Sequence, residues 1–154
     1  MGAAYFYHLT RSSAEATLRS LLGKSRQAGW RVVVRGRSEG MLDRLDEGLW
    51  LRPEDGFLPH GRAGGPHDAD QPVLLTVGAG VPNGATCLMS VEGAEVSPDE
   101  VTAMDRVCIL FDGADEVALV HARGQWKALT GAGCAAQYWS EAGGTWEKKA
   151  ESGG

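Results

Sequence analysis

The run of three valines at 32–34, inside WRVVVRG, is the feature that most restricts how this chain can fold. A strand with one wet face alternates apolar and polar residues. Consecutive β-branched residues instead mark a strand buried on both faces. Such strands belong to parallel sheets covered by helices on either side. RVCILFDG at 106–113, AAYFYHL, PVLLTV and TCLMSV read as further strands. Segment 11–29 reads as a helix. Ser12 and Glu15 fit a capping box, Ala14, Leu18, Leu21 and Leu22 fall at helical spacing, and Gly29 suits the stop. A second helix is predicted over 38–51, with Met41, Leu42, Leu45 and Leu49 as its stripe. A third is predicted over 114–133, with Asp112 as N-cap and Gly131 and Gly133 at its end. CAAQYWS and TWEKK then read as an aromatic strand, a turn through EAGG and a short tail. Strands alternating with helices predict βαβ units and a mostly parallel sheet. The strands at 72–77 and 86–91 are too close for an intervening helix, so they either form a hairpin or run to an edge.

The 154 residues suit one α/β domain over 1–150, with 151–154 as a disordered tail. The formal net charge of −5 argues against nucleic-acid binding over a broad face, and leaves room for a local basic patch. Apolar runs such as VLLTV are too short to cross a bilayer, and the first residues lack the pattern of a signal peptide. A cytoplasmic protein is expected. Cys87, Cys108 and Cys134 are widely spaced within apolar runs, which predicts buried free thiols. His8, His60, His67 and His121 form no metal-ligand spacing, so neither metal nor cofactor is expected.

A sheet of this kind raises the question of a nucleotide. VGAGVPNGA holds Gly78, Gly80 and Gly84, but the spacing is G-x-G-x-x-x-G, Pro82 interrupts it, and a strand follows. A dinucleotide loop needs a helix there, so that pyrophosphate rests on its N-terminus. RGRSEG lacks the Lys-Ser or Lys-Thr pair of a phosphate loop, and no G-x-S-x-G elbow is present. Asp43, Asp46 and Glu47 share a helix with Arg44 and read as a solvated charged face. The expected architecture is a Rossmann-like domain without nucleotide-binding loops. The alternative is a nucleotide-dependent α/β enzyme with a degenerate Gly-rich loop at 78–84.

Surface chemistry remains. Arg123 and Lys127 stand four apart on the third helix, with Trp126 beside them. Two cations flanking a ring can grip a carboxylate while the ring takes an apolar side chain. Periodicity offers another role, placing Trp126 with Leu119, Ala122 and Leu129 on the core stripe. The stretch LWLRPEDGFLPHGRAG at 49–64 is equally two-sided. Its two prolines forbid a long helix or central strand, yet Trp50 and Phe57 lie within it. They either plug the core or face a partner.

RLDEGLWLRPEDGFLPH resembles the signature segment of the chi subunit of bacterial DNA polymerase III, through Arg44, Leu45, Asp46, Leu49, Trp50, Phe57, Pro59 and His60. FYHL, WRVVV, RVCILFDG and the closing W-E-K-K-A fit as well, so the resemblance spans residues 4 to 150. It implies a non-catalytic clamp-loader accessory subunit of single-domain, Rossmann-like fold. Such a subunit binds the acidic, Phe-terminated tail of single-stranded DNA-binding protein and tethers the polymerase to coated DNA. Carried over, the tail site falls on Arg123, Trp126 and Lys127, with Trp126 where the family usually has Tyr. A further family cation falls on apolar Leu119, and Lys148 and Lys149 can supplement the patch. The face of Trp50, Phe57, Pro59 and His60 falls to a protein partner, the psi subunit or an alternative such as a repair helicase.

Overall fold

The computed structural model describes residues 2–11, 13–50, 60–63, 70–77, 83–141, 143 and 145–152, leaving aside the side chains of residues 48–50 and 62. The valine run forms β2 (Val32–Arg35), all four residues of it buried. Its neighbours on either side are β4 (Val73–Thr76) and β5 (Cys87–Ser90), both parallel to it. The two strands expected to pair as a hairpin or lie at an edge are therefore parallel and separated by β2. A buried strand needs a partner on both sides to satisfy its N–H and C=O groups, and these two serve β2. Asn83 secures the passage into β5: its buried amide donates to the carbonyls of Val32 and Gln71 at 3.1 and 2.9 Å.

The other elements, in chain order, are β1 (Ala3–Leu9), α1 (Ala14–Gln27), α2 (Glu39–Trp50), β3 (Gly61–Arg62), α3 (Pro98–Ala103), β6 (Arg106–Asp112), α4 (Glu116–Gly131), β7 (Ala135–Ser140) and β8 (Glu147–Ser152). Among the described residues the eight strands form one open sheet, in the order β3-β4-β2-β5-β6-β1-β7-β8. All neighbours are parallel except β8, which pairs antiparallel with β7. This is the expected Rossmann-like α/β architecture. Phe6, Val33, Leu88, Val107 and Ile109 pack on one side with Val101 of α3 and Ala122 and Leu129 of α4. Val32, Val34, Met89 and Leu110 pack on the other with Leu18 and Leu22 of α1 and Leu42 and Leu45 of α2. The three cysteines are free and buried.

Several local expectations change. The cap of α1 is Ser13, whose hydroxyl accepts from the Ala16 amide at 3.0 Å, rather than Ser12. The cap of α4 is Asp115, accepting from the Val117 and Ala118 amides, while Asp112 closes the preceding turn through the Ala114 amide. Both shifts put the carboxylate or hydroxyl where unpaired amides begin. Helix α3, absent from the sequence reading, carries a full capping box between Ser97 and Glu100. It is only 6 residues long, too short to show an amphipathic period. β8 runs to Ser152, so Glu151 and Ser152 pair with β7 instead of starting a disordered tail. No helix among the described residues is long and apolar enough to cross a membrane.

Candidate functional site

Helix α4 lies across β6 and β7 because Ala122, Gln125 and Leu129 form a stripe at helical spacing, all buried. Trp126 stands at the edge of that stripe, half-buried against the core cluster. Its ring meets Phe6 edge-on at 5.3 Å and Tyr138 at 6.0 Å between centroids. Of the two roles considered for Trp126, the core contact is observed in part. One part is held in the core, which fixes the ring, and part remains at the surface. Arg123 and Lys127 are exposed on the same side of the helix. Val120, 66% exposed, lies one turn before them on that side. Fixed aromatic, aliphatic and cationic groups therefore share one helical face. Such a face suits a short peptide carrying carboxylates and an apolar side chain.

Beneath Arg123 lies a group the sequence reading missed. His8 of β1 and Tyr138 of β7 meet through Nδ1 and the phenol oxygen at 2.7 Å. Phe111 of β6 packs on both rings, at 5.2 and 5.9 Å. Burial first, then the positive charge of Arg123, holds the His8 imidazole below its ordinary value, with Asp112 pulling the other way. This shift favours the neutral imidazole. Burial raises the Tyr138 phenol, and Arg123 opposes that rise. Arg123 is thus within electrostatic reach of this hydrogen-bonded pair. Gly113 makes room for it, since a Cβ there would land on the His8 ring. These residues come from strands far apart in sequence, and only the pairing of β1 with β6 and β7 brings them together.

Lys148 and Lys149 do not extend the patch as free charges. Each pairs with a carboxylate of its own strand, Glu151 at 3.2 Å and Glu147 at 3.4 Å. Leu119, at the place of the family's further cation, packs partly on the core.

The signature segment is visible at its two ends. Asp46, read as part of a solvated face, holds His60 at 2.8 Å. The His60 side chain is wholly buried. It therefore fastens α2 to the start of β3 and does not itself present a surface. Leu45 beside it is core, and Arg44 reaches toward Glu15 at 4.0 Å on the outside. Trp50 ends α2, with its side chain outside the described residues, as are Phe57 and Pro59. Gly78 and Gly80 are outside them too, but Gly84 leads into strand β5. A phosphate loop would have required a helix there.

The family model described as DNA polymerase III chi subunit, HolC, matches residues 1–137. The DNA polymerase III subunit chi of Escherichia coli (strain K12) is 38% identical over 53 residues, which is 34% of this chain and 36% of the relative. The match thus spans about a third of that curated protein's length.

Proposed function

The chain belongs to the DNA polymerase III chi subunit family, and from that premise we propose that it is a non-catalytic accessory subunit acting in replication. On this reading, α4 binds the acidic C-terminal tail of single-stranded DNA-binding protein and so tethers the clamp loader to coated single strands. The observation that carries the proposal is the exposed pair Arg123 and Lys127 on one face with Trp126, whose ring the core holds in place. The cations take the tail's carboxylates, and Trp126 with Val120 takes its terminal Phe. A ring already fixed by packing loses little freedom on binding, which favours affinity. A second partner, psi or another protein, would meet Trp50, Phe57 and Pro59. There His60 would act from inside, pinning the segment through Asp46.

A fluorescently labelled acidic peptide ending in Phe, titrated against the purified chain, tests the tail site. Arg123→Glu replaces attraction with repulsion and is expected to weaken binding by about 2 kcal/mol or more. Added salt should weaken wild-type binding as well. Equal affinity of Arg123→Glu and wild type would show that the tail docks elsewhere.

A further inference from the structure

On the side of the sheet opposite α4, a cleft of about 420 Å³ opens between α1 and the β6-β1-β7 strands. Its α1 wall carries Ala16 and Leu21 together with three polar side chains. Thr17, Ser20 and Lys24, at i, i+3 and i+7, share one helical face. Its floor and far wall are aromatic, formed by Tyr5, Tyr7, Trp139 and Trp146. Register explains the floor: Tyr7 of β1 lies directly beside Trp139 of β7, so both rings rise from the same face. Trp146, 36% exposed, stands edge-on to Tyr7 at 5.4 Å.

The charges in this cleft all have one sign. Arg106 and Lys24 line it, and among the described residues that line it there is no carboxylate. The Arg106 guanidinium lies over the rings of Tyr5 and Trp30, at 4.4 and 5.3 Å from their centroids. Stacking fixes the plane of the cation without neutralising it. In a chain of net charge −5, this is a locally basic, aromatic-walled slot.

We propose that this cleft is a contact site for single-stranded nucleic acid, accepting one nucleotide with its phosphate toward Lys24, Ser20 and Arg106 and its base against Trp139 and Trp146. Cations and hydroxyls beside rings in one slot match the regular alternation of anion and planar base along a single strand. The volume is near the lower end for small-molecule clefts, which suits one nucleotide rather than a wrapped strand. An acidic peptide would satisfy the cations but would leave most of the aromatic wall without a planar partner. The contact is local, and it stands independently of tail binding on α4.

Anisotropy of a fluorescein-labelled oligothymidylate, titrated with the full chain at low salt, tests the proposal. Binding is expected, with a slope of log affinity against log salt on the order of −0.7, the value for one phosphate contact on a single strand. Lys24→Glu changes an exposed position and should weaken binding about tenfold with an unchanged melting midpoint, and Trp146→Ala, which also gives up the contact with Tyr7, should weaken binding about tenfold. An abasic oligomer of the same length should also bind about tenfold more weakly, since it has no base to stack. An unlabelled acidic peptide ending in Phe should leave the oligomer bound. Any of the following overturns the site: no salt-sensitive binding, equal affinity for the abasic strand, wild-type affinity in Lys24→Glu, or displacement by the peptide.

Discussion

Replacing Glu100 by Gln should expose how much of this fold hangs on one ion pair. Arg35, at the end of β2, is only 4% exposed. Its two terminal nitrogens donate to the Glu100 carboxylate at 2.9 and 2.6 Å, and one of them also reaches the Glu95 carbonyl at 2.9 Å. Its Nε is already buried without a hydrogen-bond partner. Glu100 meanwhile accepts from the Ser97 amide at 3.0 Å, closing the capping box of α3. Gln keeps the shape but turns an NH₂ group toward the guanidinium, so the buried charge loses its counter-charge. Removing one partner of a buried pair costs about 3–5 kcal/mol. The lower figure applies, because the Glu100 side chain is 25% exposed and water reaches it. For a domain of this size, about 3 kcal/mol lowers the melting midpoint by about 6–12 °C.

The pH dependence gives an independent check on the same pair. Hydrogen bonding from Arg35, set against burial, holds the Glu100 carboxyl below its ordinary value of 4.5. A carboxyl depressed in the folded state contributes stability that is complete above the unfolded value and is lost as pH falls toward the folded one. Wild type should therefore lose stability below about pH 4.5 more steeply than Glu100→Gln, which has no carboxylate there to protonate. Melting curves by circular dichroism from pH 7 to pH 3 supply both readings. A drop of less than about 2 °C at pH 7, or parallel losses on acidification, would refute the argument that Arg35 depends on this carboxylate.

Two further outcomes follow from the site and the signature segment. Gly113→Ala puts a methyl onto the His8 ring and about 3.0 Å from the Leu9 carbonyl. It should cost about 1–3 kcal/mol in thermal unfolding and weaken binding of the acidic peptide, whereas full retention of both would mean that the His8–Tyr138 pair does not shape the α4 face. Phe57→Ala should leave thermal stability nearly unchanged and cost a partner about 2 kcal/mol, measured by calorimetric titration; a stability loss of about 3–5 kcal/mol would instead make Phe57 a core plug.

Much of the frame was legible in the residues. The unbroken run VVV belongs to a strand buried on both faces, and the helical stripes of α1 and α4 have the length that periodicity needs. These are local properties: a strand or long helix carries its own repeat of burial along the chain. The basic pair on α4 was legible for the same reason, since positions four apart on a helix are neighbours whatever the rest of the molecule does. Helix α3 was not, because 6 residues hold less than two turns.

What the chain could not show was which distant residues would meet. Segments 72–77 and 86–91 carry no mark of the strand that separates them, since strand order depends on competition among all pairings. His8 and Tyr138 are 130 residues apart, and Asp46 looked like any solvated helical carboxylate until His60 was placed beside it. The same holds for the cleft between α1 and β7, whose cations and rings come from four separate elements and the turn before β8. Sequence patterns set the burial of each element because burial follows a local period. Tertiary structure alone sets the polar pairs and clefts, because parallel strands join residues whose separation along the chain is arbitrary.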